Sequence, residues 1–353
     1  GLITAWNFPL LLFSWKVGPA LAAGNTIVIK PAETTPTSSM RLVEILQEVL
    51  PPGVLNFVNG EGPVVGEALS LHPDIDKISF TGSTRIGRVV QTNCATTMKR
   101  CTLELGGKGP GIVMPDADLD MVAQGALWGV YMNAGQACES GTRLLVHEDV
   151  YDELLQRLAD RSAGVVVGNP ADPATGMGPM STEGHFRKVM GYIESGIAEG
   201  ARLVCGGGPA EVPGCEGGFY IEPTVLADVT NDMKVAREEI FGPVLSVIKF
   251  SSVEEAIDLA NDTDYGLSAG IWSGDLVQAQ QIARELRAGS VWVNDWHMMR
   301  TDAPFGGYKQ SGYGRELGRY SIDSYVETKA VSMSFERLPQ KKGMHRIVHT
   351  QMA

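Results

Sequence analysis

The stretch Asn133-Ala134-Gly135-Gln136-Ala137-Cys138-Glu139-Ser140-Gly141-Thr142-Arg143 holds one cysteine among small residues. It lies between an apolar helical pattern, Leu119 to Met132, and an apolar strand pattern, Leu144 to Val146. A thiol at such a junction is open to a ligand, whereas one inside a continuous apolar run is not. Only the thiolate is a strong nucleophile, so the site must lower the thiol pKa or supply a base. The plain alternative is a small core residue, the fate of most free cysteines. Glu104, in Leu103-Glu104-Leu105-Gly106-Gly107-Lys108, is flanked by leucines at an expected strand end. Desolvation there would bring its pKa toward the range of a general base; a solvated strand-end carboxylate is the plain reading. Ser79–Gly87 reads as strand, glycine turn and helix start. Amides at a helix N-terminus favour a phosphate, although short glycine motifs are often mere turns. Glu238-Glu239-Ile240-Phe241-Gly242-Pro243 reads as an acidic pair ending at a turn, and His345 with His349 as surface residues without metal spacing.

The elements that must position these groups alternate. A helical pattern from Leu10 to Ala23 closes at Gly24-Asn25, a usual stop. Thr26–Lys30 reads as a buried β-branched strand. Thr35-Pro36 opens a helix that Pro51-Pro52 ends. The rhythm continues with strand Val54–Val58, helix Val64–Leu71, strand Lys77–Phe80, helix Thr84–Thr92 and strand Thr102–Leu105. Such alternation makes a parallel sheet covered by helices, with ligands beyond the carboxyl ends of its strands. Lys30, Thr81-Gly82-Ser83 and Glu104 fall at such ends. A second series starts at Gly111 and runs through strand Thr142–His147, helix Val150–Ala159, helix Phe186–Glu199 and strand Arg202–Cys205. Strand Val244–Phe250, helix Val253–Asn261, strand Leu267–Trp272, helix Leu276–Arg287 and strand Ser290–Asn294 complete it.

At 353 residues two domains are the default expectation. The net charge of −12 argues against a nucleic-acid partner, which needs basic patches. Five scattered cysteines without CxxC spacing point to a reduced, cytoplasmic protein rather than a disulfide framework or zinc site. No apolar run is long enough to span a membrane, and Gly1-Leu2-Ile3-Thr4 lacks the features of a signal peptide.

Six segments in order, TAWNFPLLLFSWKVGPALAAGNTIVIKPAE, FTGSTRIG, LELGGK, GQACESGTR, EEIFGPV and PFGGYKQSGYGRELG, resemble the aldehyde dehydrogenase superfamily in its hydrolytic NAD(P)-dependent branch. The resemblance runs from Gly1 to about residue 335 and implies two Rossmann-like α/β domains with parallel sheets plus a C-terminal oligomerisation strand. It implies a cofactor domain over 1–106, a catalytic domain over 107–308, a return segment over 309–324, and an oligomerisation strand and tail over 325–353. Its N-terminal segment is expected to be missing here, and the assembly to be a homodimer or homotetramer.

By the same resemblance, Cys138 attacks an aldehyde, Asn7 and the Cys138 amide hold the oxyanion, Glu104 activates water to hydrolyse a thioester, and Lys16 lines the cleft. Lys30 and Glu33 would contact the adenosine ribose, Glu33 favouring NAD over NADP by repelling a 2′-phosphate. Gly82 and Ser83 would meet the pyrophosphate, Glu239 the nicotinamide ribose, and Phe241, Leu105 and Trp6 would complete the cofactor cleft. Phe8, Leu12, Trp15, Ala137, Glu139 and the Trp296–Arg300 loop would wall the substrate tunnel. No metal is expected. Two departures stand out: Ala5 in place of the usual proline, and Glu139 beside the nucleophile. Facing the thiol, Glu139 would oppose thiolate formation; the expectation is that it points along the tunnel or pairs with Arg143. The alternatives are a CoA-acylating relative, which the water-activating Glu104 disfavours, and a non-catalytic NAD-binding homologue.

Overall fold

A computed structural model of the protein describes residues 1–346. It has two sheets of mostly parallel strands covered by helices, so the expected α/β class is what forms. The first sheet has six strands in the order Gly312–Tyr313, Arg100–Glu104, Lys77–Thr81, Leu2–Ile3, Ile27–Lys30 and Leu55–Phe57. All neighbours are parallel except Gly312–Tyr313, which runs antiparallel to Arg100–Glu104 and pairs Gly312 with Glu104. The second has seven, in the order Ser290–Val293, Ser268–Trp272, Pro110–Val113, Arg143–His147, Val244–Phe250, Thr224–Ala227 and Arg202–Cys205.

The first sheet winds outward in both directions from Leu2–Ile3. Its next two strands lie on one side, and Lys77–Thr81 and Arg100–Glu104 on the other. The carboxyl ends of Leu2–Ile3 and Lys77–Thr81 therefore flank a topological switch point, the place where open α/β sheets hold ligands. The central strand escapes a reading by periodicity because two residues carry no period. Thr224–Ala227, four residues following a glycine-rich loop, escapes for the same reason.

Helix Pro9–Ala22 leaves the switch point with proline in its first turn and ends at Gly24, whose φ of +81° only glycine adopts freely. Its buried face is Leu12, Phe13, Lys16, Val17 and Ala20, so one lysine is carried into an apolar layer. Helix Thr84–Ala95 begins at Ser83, whose hydroxyl accepts from the Ile86 amide. The segment expected as one helix from Val64 starts as a π-type turn, Gly62–Gly66, before α-helix Glu67–Leu71.

The largest core lies around the second sheet, with Val146, Leu154, Val247 and Ile271 fully buried. The first sheet carries two smaller cores on its opposite faces, one around Phe13 and Ile29 and one around Ile78 and Leu103. The segment expected as an oligomerisation strand, about Tyr325–Phe335, pairs with no strand among the described residues of this chain, and Val331, Met333 and Phe335 are exposed. A β-ladder needs a second strand, and none among the described residues reaches this segment. His349 and the rest of the tail beyond residue 346 lie outside the described residues.

Candidate active site

Cys138 sits in the loop between helix Leu119–Tyr131 and strand Arg143–His147, as the sequence pattern predicts. The helix breaks at Met132, and Asn133, Ala134 and Gly135 then take three consecutive left-handed conformations with φ of 52°, 55° and 75°. Two of the three are not glycine, so the turn is strained, as chains often are where function demands it. At Gly135 a Cβ would lie 2.1 Å from the Gly242 carbonyl oxygen, which fixes the residue type. The loop is clamped from beneath: the Glu139 carbonyl accepts from Trp296 Nε1 and Ser268 Oγ, both at 2.9 Å.

Asn7 follows the central strand of the first sheet, and its amide donates to the Gln136 carbonyl at 3.0 Å, two residues before the thiol. Asn133 Nδ2 in turn donates to the Asn7 carbonyl at 3.1 Å. An amide from the first sheet and the nucleophile loop from the second are thus tied together.

Glu104 ends its strand fully buried, and neither carboxylate oxygen has a hydrogen-bond partner among the described residues. Burial first, and then the nearby Glu316 carboxylate, push its pKa well above the usual carboxylate range against the opposing pull of Lys16 and Arg315. Lys16 itself is spent on structure: its ammonium pairs with Glu316 and donates to Ser79 Oγ at 3.0 Å. It lines neither cavity that borders Cys138; it acts on the site through its charge near Glu104.

Two cavities meet at the thiol. One, of about 220 Å³, lies at the switch point. Trp6, Gly82, Ser83, Leu105, Glu239 and Phe241 line it, with Ala5, Asn7 and Cys138. Glu239 Oε1 accepts from the Gly107 amide at 2.8 Å, and burial raises the Glu239 pKa. Trp6 and Phe241 meet edge to face, with centroids 5.5 Å apart. The second cavity, of about 150 Å³, is lined by Phe8, Leu11, Leu12, Trp15, Trp128, Met132, Met299 and Phe305, with Glu104, Glu139 and His297 at its inner end. Only Leu12, Thr81 and Cys138 border both.

The sequence reading missed several of these residues. His185 and Lys188 line the first cavity, and His185 Nε2 lies 2.6 Å from the Phe241 carbonyl oxygen. The Ser181-Thr182-Glu183 cap signal marks a helix start at Glu183, three residues before the one expected, and would have put His185 in its first turn. In the second cavity, Leu11, Trp128, Met132 and Phe305 were missed, whereas His297 and Met299 belong to the expected Trp296–Arg300 loop and do line it. Lys30 and Glu33 form an ion pair at 3.3 Å just past strand Ile27–Lys30, adjacent to the switch point but outside both cavities.

Three expectations are corrected. Ala137 is buried and lines neither cavity. Trp296 lies under the loop rather than along the tunnel, packed where Gly129, Gly141 and Gly270 have no side chains. Arg143 does not pair with Glu139: its guanidinium is consumed by Asn231 Oδ1 and the carbonyls of Lys108, Leu259 and Ala260. Glu139 instead turns back onto the thiol. Cys138 Sγ donates to Glu139 Oε2 at 3.2 Å, and Glu139 Oε1 is 3.0 Å from His297 Nδ1. Burial and then the Glu139 charge push the Cys138 pKa well above the ordinary thiol value. Burial works to raise that of Glu139, but the hydrogen bond and charge of His297 outweigh it and hold the carboxyl below its usual value.

The family model described as "Aldehyde dehydrogenase family" matches residues 1–331. The human protein named "Aldehyde dehydrogenase, mitochondrial" is 47% identical over 343 residues, which is 97% of this chain. The match spans 65% of that relative, so the chain represents just under two thirds of its length. Among solved structures, an NAD-dependent aldehyde dehydrogenase from Sinorhizobium meliloti superposes with a TM-score of 0.93 at 48% identity, covering 96% of this chain and 67% of that one. An aldehyde dehydrogenase from Bacillus cereus, solved as its NAD+ complex, gives 0.93 at 46% identity over 95% and 68%.

Proposed function

The chain belongs to the aldehyde dehydrogenase family, and from that premise we propose that it oxidises an aldehyde to a carboxylic acid through a covalent bond to Cys138, with NAD as the oxidant. The observation that carries the proposal is the position of the thiol, which borders both cavities. A nucleophile placed there reaches a substrate in one cavity while the carbon it attacks faces the other.

The cavity at the switch point suits a dinucleotide. Ser83 caps helix Thr84–Ala95 with Gly82 just before it, and the N-terminus of that helix favours a pyrophosphate. Glu239 offers a buried carboxylate to a ribose, and the Trp6–Phe241 pair supplies an aromatic wall. When bound, the nicotinamide supplies a hydride acceptor. The rest is the work of this chain. Sγ adds to the carbonyl carbon, and the oxygen that becomes negative is held by the Asn7 amide and the Cys138 N–H. After oxidation the acyl group is a thioester on Cys138. Glu104, buried and without a hydrogen-bond partner among the described residues, is free to take a proton from the water that hydrolyses it. A CoA-acylating enzyme has no use for such a base, which favours the hydrolytic reading.

The second cavity names a substrate class. Apart from the groups at its inner end, its walls are aromatic and aliphatic, so an aromatic or medium-chain aliphatic aldehyde fits better than a charged one. NAD rather than NADP follows from the Glu33 carboxylate beside Lys30. A second copy of the chain is the proposed partner, seated on the exposed apolar residues Val331, Met333 and Phe335. A reducing, cytoplasmic compartment suits a free thiol at the centre of the chemistry. No helix among the described residues is long and apolar enough to cross a membrane.

The test is NADH formation from aliphatic and aromatic aldehydes, with and without CoA. Turnover that needs no CoA and yields the acid is expected. Absence of NADH with every aldehyde would leave a non-catalytic NAD-binding homologue, and dependence on CoA would give the acylating reading.

A further inference from the structure

The hydrolytic reading needs two proton transfers: one from the thiol as it attacks, and one from water as the thioester breaks. The geometry separates them. Glu104 has no hydrogen-bond partner among the described residues, the thiol included. Glu139 touches the thiol directly, 3.2 Å from Sγ to Oε2, while His297 Nδ1 lies 3.0 Å from its other oxygen. His297 is held in turn: its backbone takes φ of +59°, and Trp128 packs edge-on against the ring with centroids 5.8 Å apart. Both side chains are more than nine-tenths buried. A carboxylate beside the half-buried thiol disfavours the thiolate by its like charge, so it does not serve to hold the nucleophile ionised at rest.

We propose that Glu139 is the catalytic residue that accepts the Cys138 proton, that His297 positions it, and that Glu104 is thereby reserved for water. The inference rests on the aldehyde-oxidising reading of the site. In the step, the S–H bond breaks and its proton passes to Glu139 Oε2. The sulfur electron pair forms the C–S bond, and the carbonyl π pair moves onto the oxygen. No free thiolate accumulates at rest. The thiol stays neutral beside an ionised Glu139 and loses its proton only as the new bond forms, so it is protected from oxidation and alkylation between turnovers.

The groups that bear on the thiol charge are Glu139, Glu239 and Glu104, with His297 behind Glu139. Alkylation of Cys138 by iodoacetamide across pH, without aldehyde or cofactor, therefore tests the contact independently of the reaction. The midpoint is expected to fall in Glu139→Gln, and to fall less in Glu104→Gln. An equal midpoint in wild type and Glu139→Gln overturns the proposal, whether or not aldehydes are oxidised.

The transfer itself is read from the first-turnover NADH burst of the full chain with saturating NAD and aldehyde. General-base assistance is worth roughly 10²–10⁴-fold, so the burst in Glu139→Gln should slow by about 10²-fold or more and recover as pH rises. His297→Phe should slow the burst severalfold with the aldehyde KM unchanged. Should Glu139→Gln fail to fold, Glu139→Gly offers room for a small carboxylate, and added formate should restore its burst in proportion to concentration. A burst in either Glu139 variant as fast as wild type overturns the assignment. No NADH from wild type with any aldehyde, beside a shifted alkylation midpoint, would instead sink the aldehyde reading and leave the contact standing.

Discussion

The two sheets serve the site from opposite ends. The first contributes through the carboxyl ends of its strands: Lys30, Asn7, Thr81-Gly82-Ser83 and Glu104 each follow or close a parallel strand. The second contributes chiefly through amino ends: Gly107 precedes strand Pro110–Val113, Cys138 precedes Arg143–His147, and Glu239 precedes Val244–Phe250. One carboxyl edge pressed against one amino edge brings a ligand crevice from the first fold unit to a strained loop of the second. The difference shows in how each carries charge. The first sheet leaves Glu104 without a hydrogen-bond partner among the described residues, while the second spends a hydrogen bond on each carboxylate it brings, Glu139 on His297 and Glu239 on Gly107.

The sharpest way to break this division is at the amino edge. Cys138→Ala removes the only thiol bordering either cavity among the described residues. NADH formation should fall by at least ~10³-fold with every aldehyde, since losing a nucleophile removes the covalent route altogether. NAD binding, followed by protein fluorescence, should persist because the first sheet is untouched. Loss of both would mean that the edges fold and bind as one unit.

The matching change at the carboxyl edge is Glu104→Gln. The burst should survive, while steady turnover drops by about 10²–10⁴-fold, the usual worth of a general base. The pH dependence carries a sign. Water activation needs the carboxylate, and the Glu104 pKa is raised by burial and Glu316. Wild-type steady turnover should therefore fall as pH drops through a value well above the ordinary carboxylate range. A decline set at an ordinary carboxylate pKa would assign the water to another group.

Much of this division was legible in the sequence. Alternating strands and helices gave both sheets, and the rule about carboxyl ends correctly picked out Lys30, Thr81-Gly82-Ser83 and Glu104 as residues at strand ends. It said nothing of amino ends, so Cys138 and Glu239 came from local pattern and family resemblance. What stayed hidden was direction. A residue's type does not say which way its side chain turns: Glu139 had Arg143 four residues away as a plausible partner, yet Arg143 is taken by carbonyls from a distant helix end. The His297 contact joins positions 158 residues apart, and no local spacing announces it. Trp296 failed for a related reason. Its ring fills space left by glycines on separate elements, a fit visible only once they are packed together.

A milder probe addresses the cavities themselves. Trp128 lines the outer wall of the second cavity and is half exposed. Trp128→Ala removes apolar wall from the substrate side and leaves the switch-point cavity intact. Catalytic efficiency for an aromatic aldehyde should fall by about tenfold, the scale of a small loss of apolar contact, with the KM for NAD unchanged. A change in the NAD KM would show that the cavities are coupled through Cys138.

The smallest expected effect lies at the far end of the carboxyl edge. Lys30 Nζ donates to Glu33 Oε2 at 3.3 Å, with the lysine buried and the carboxylate half exposed. A half-exposed pair is worth about 1 kcal/mol or less, so it does little for the fold. It does set the charge that a nucleotide ribose would meet. Glu33→Gln removes the repulsion toward a 2′-phosphate and frees the Lys30 ammonium to approach it. The ratio of kcat/KM for NADP over NAD should then rise about fivefold, the factor that ~1 kcal/mol gives. Reading both cofactors in one variant separates this from general damage, which would lower both alike. An unchanged ratio would move the ribose away from Glu33 and confine the cofactor contacts of the first sheet to the two strands that flank the switch point.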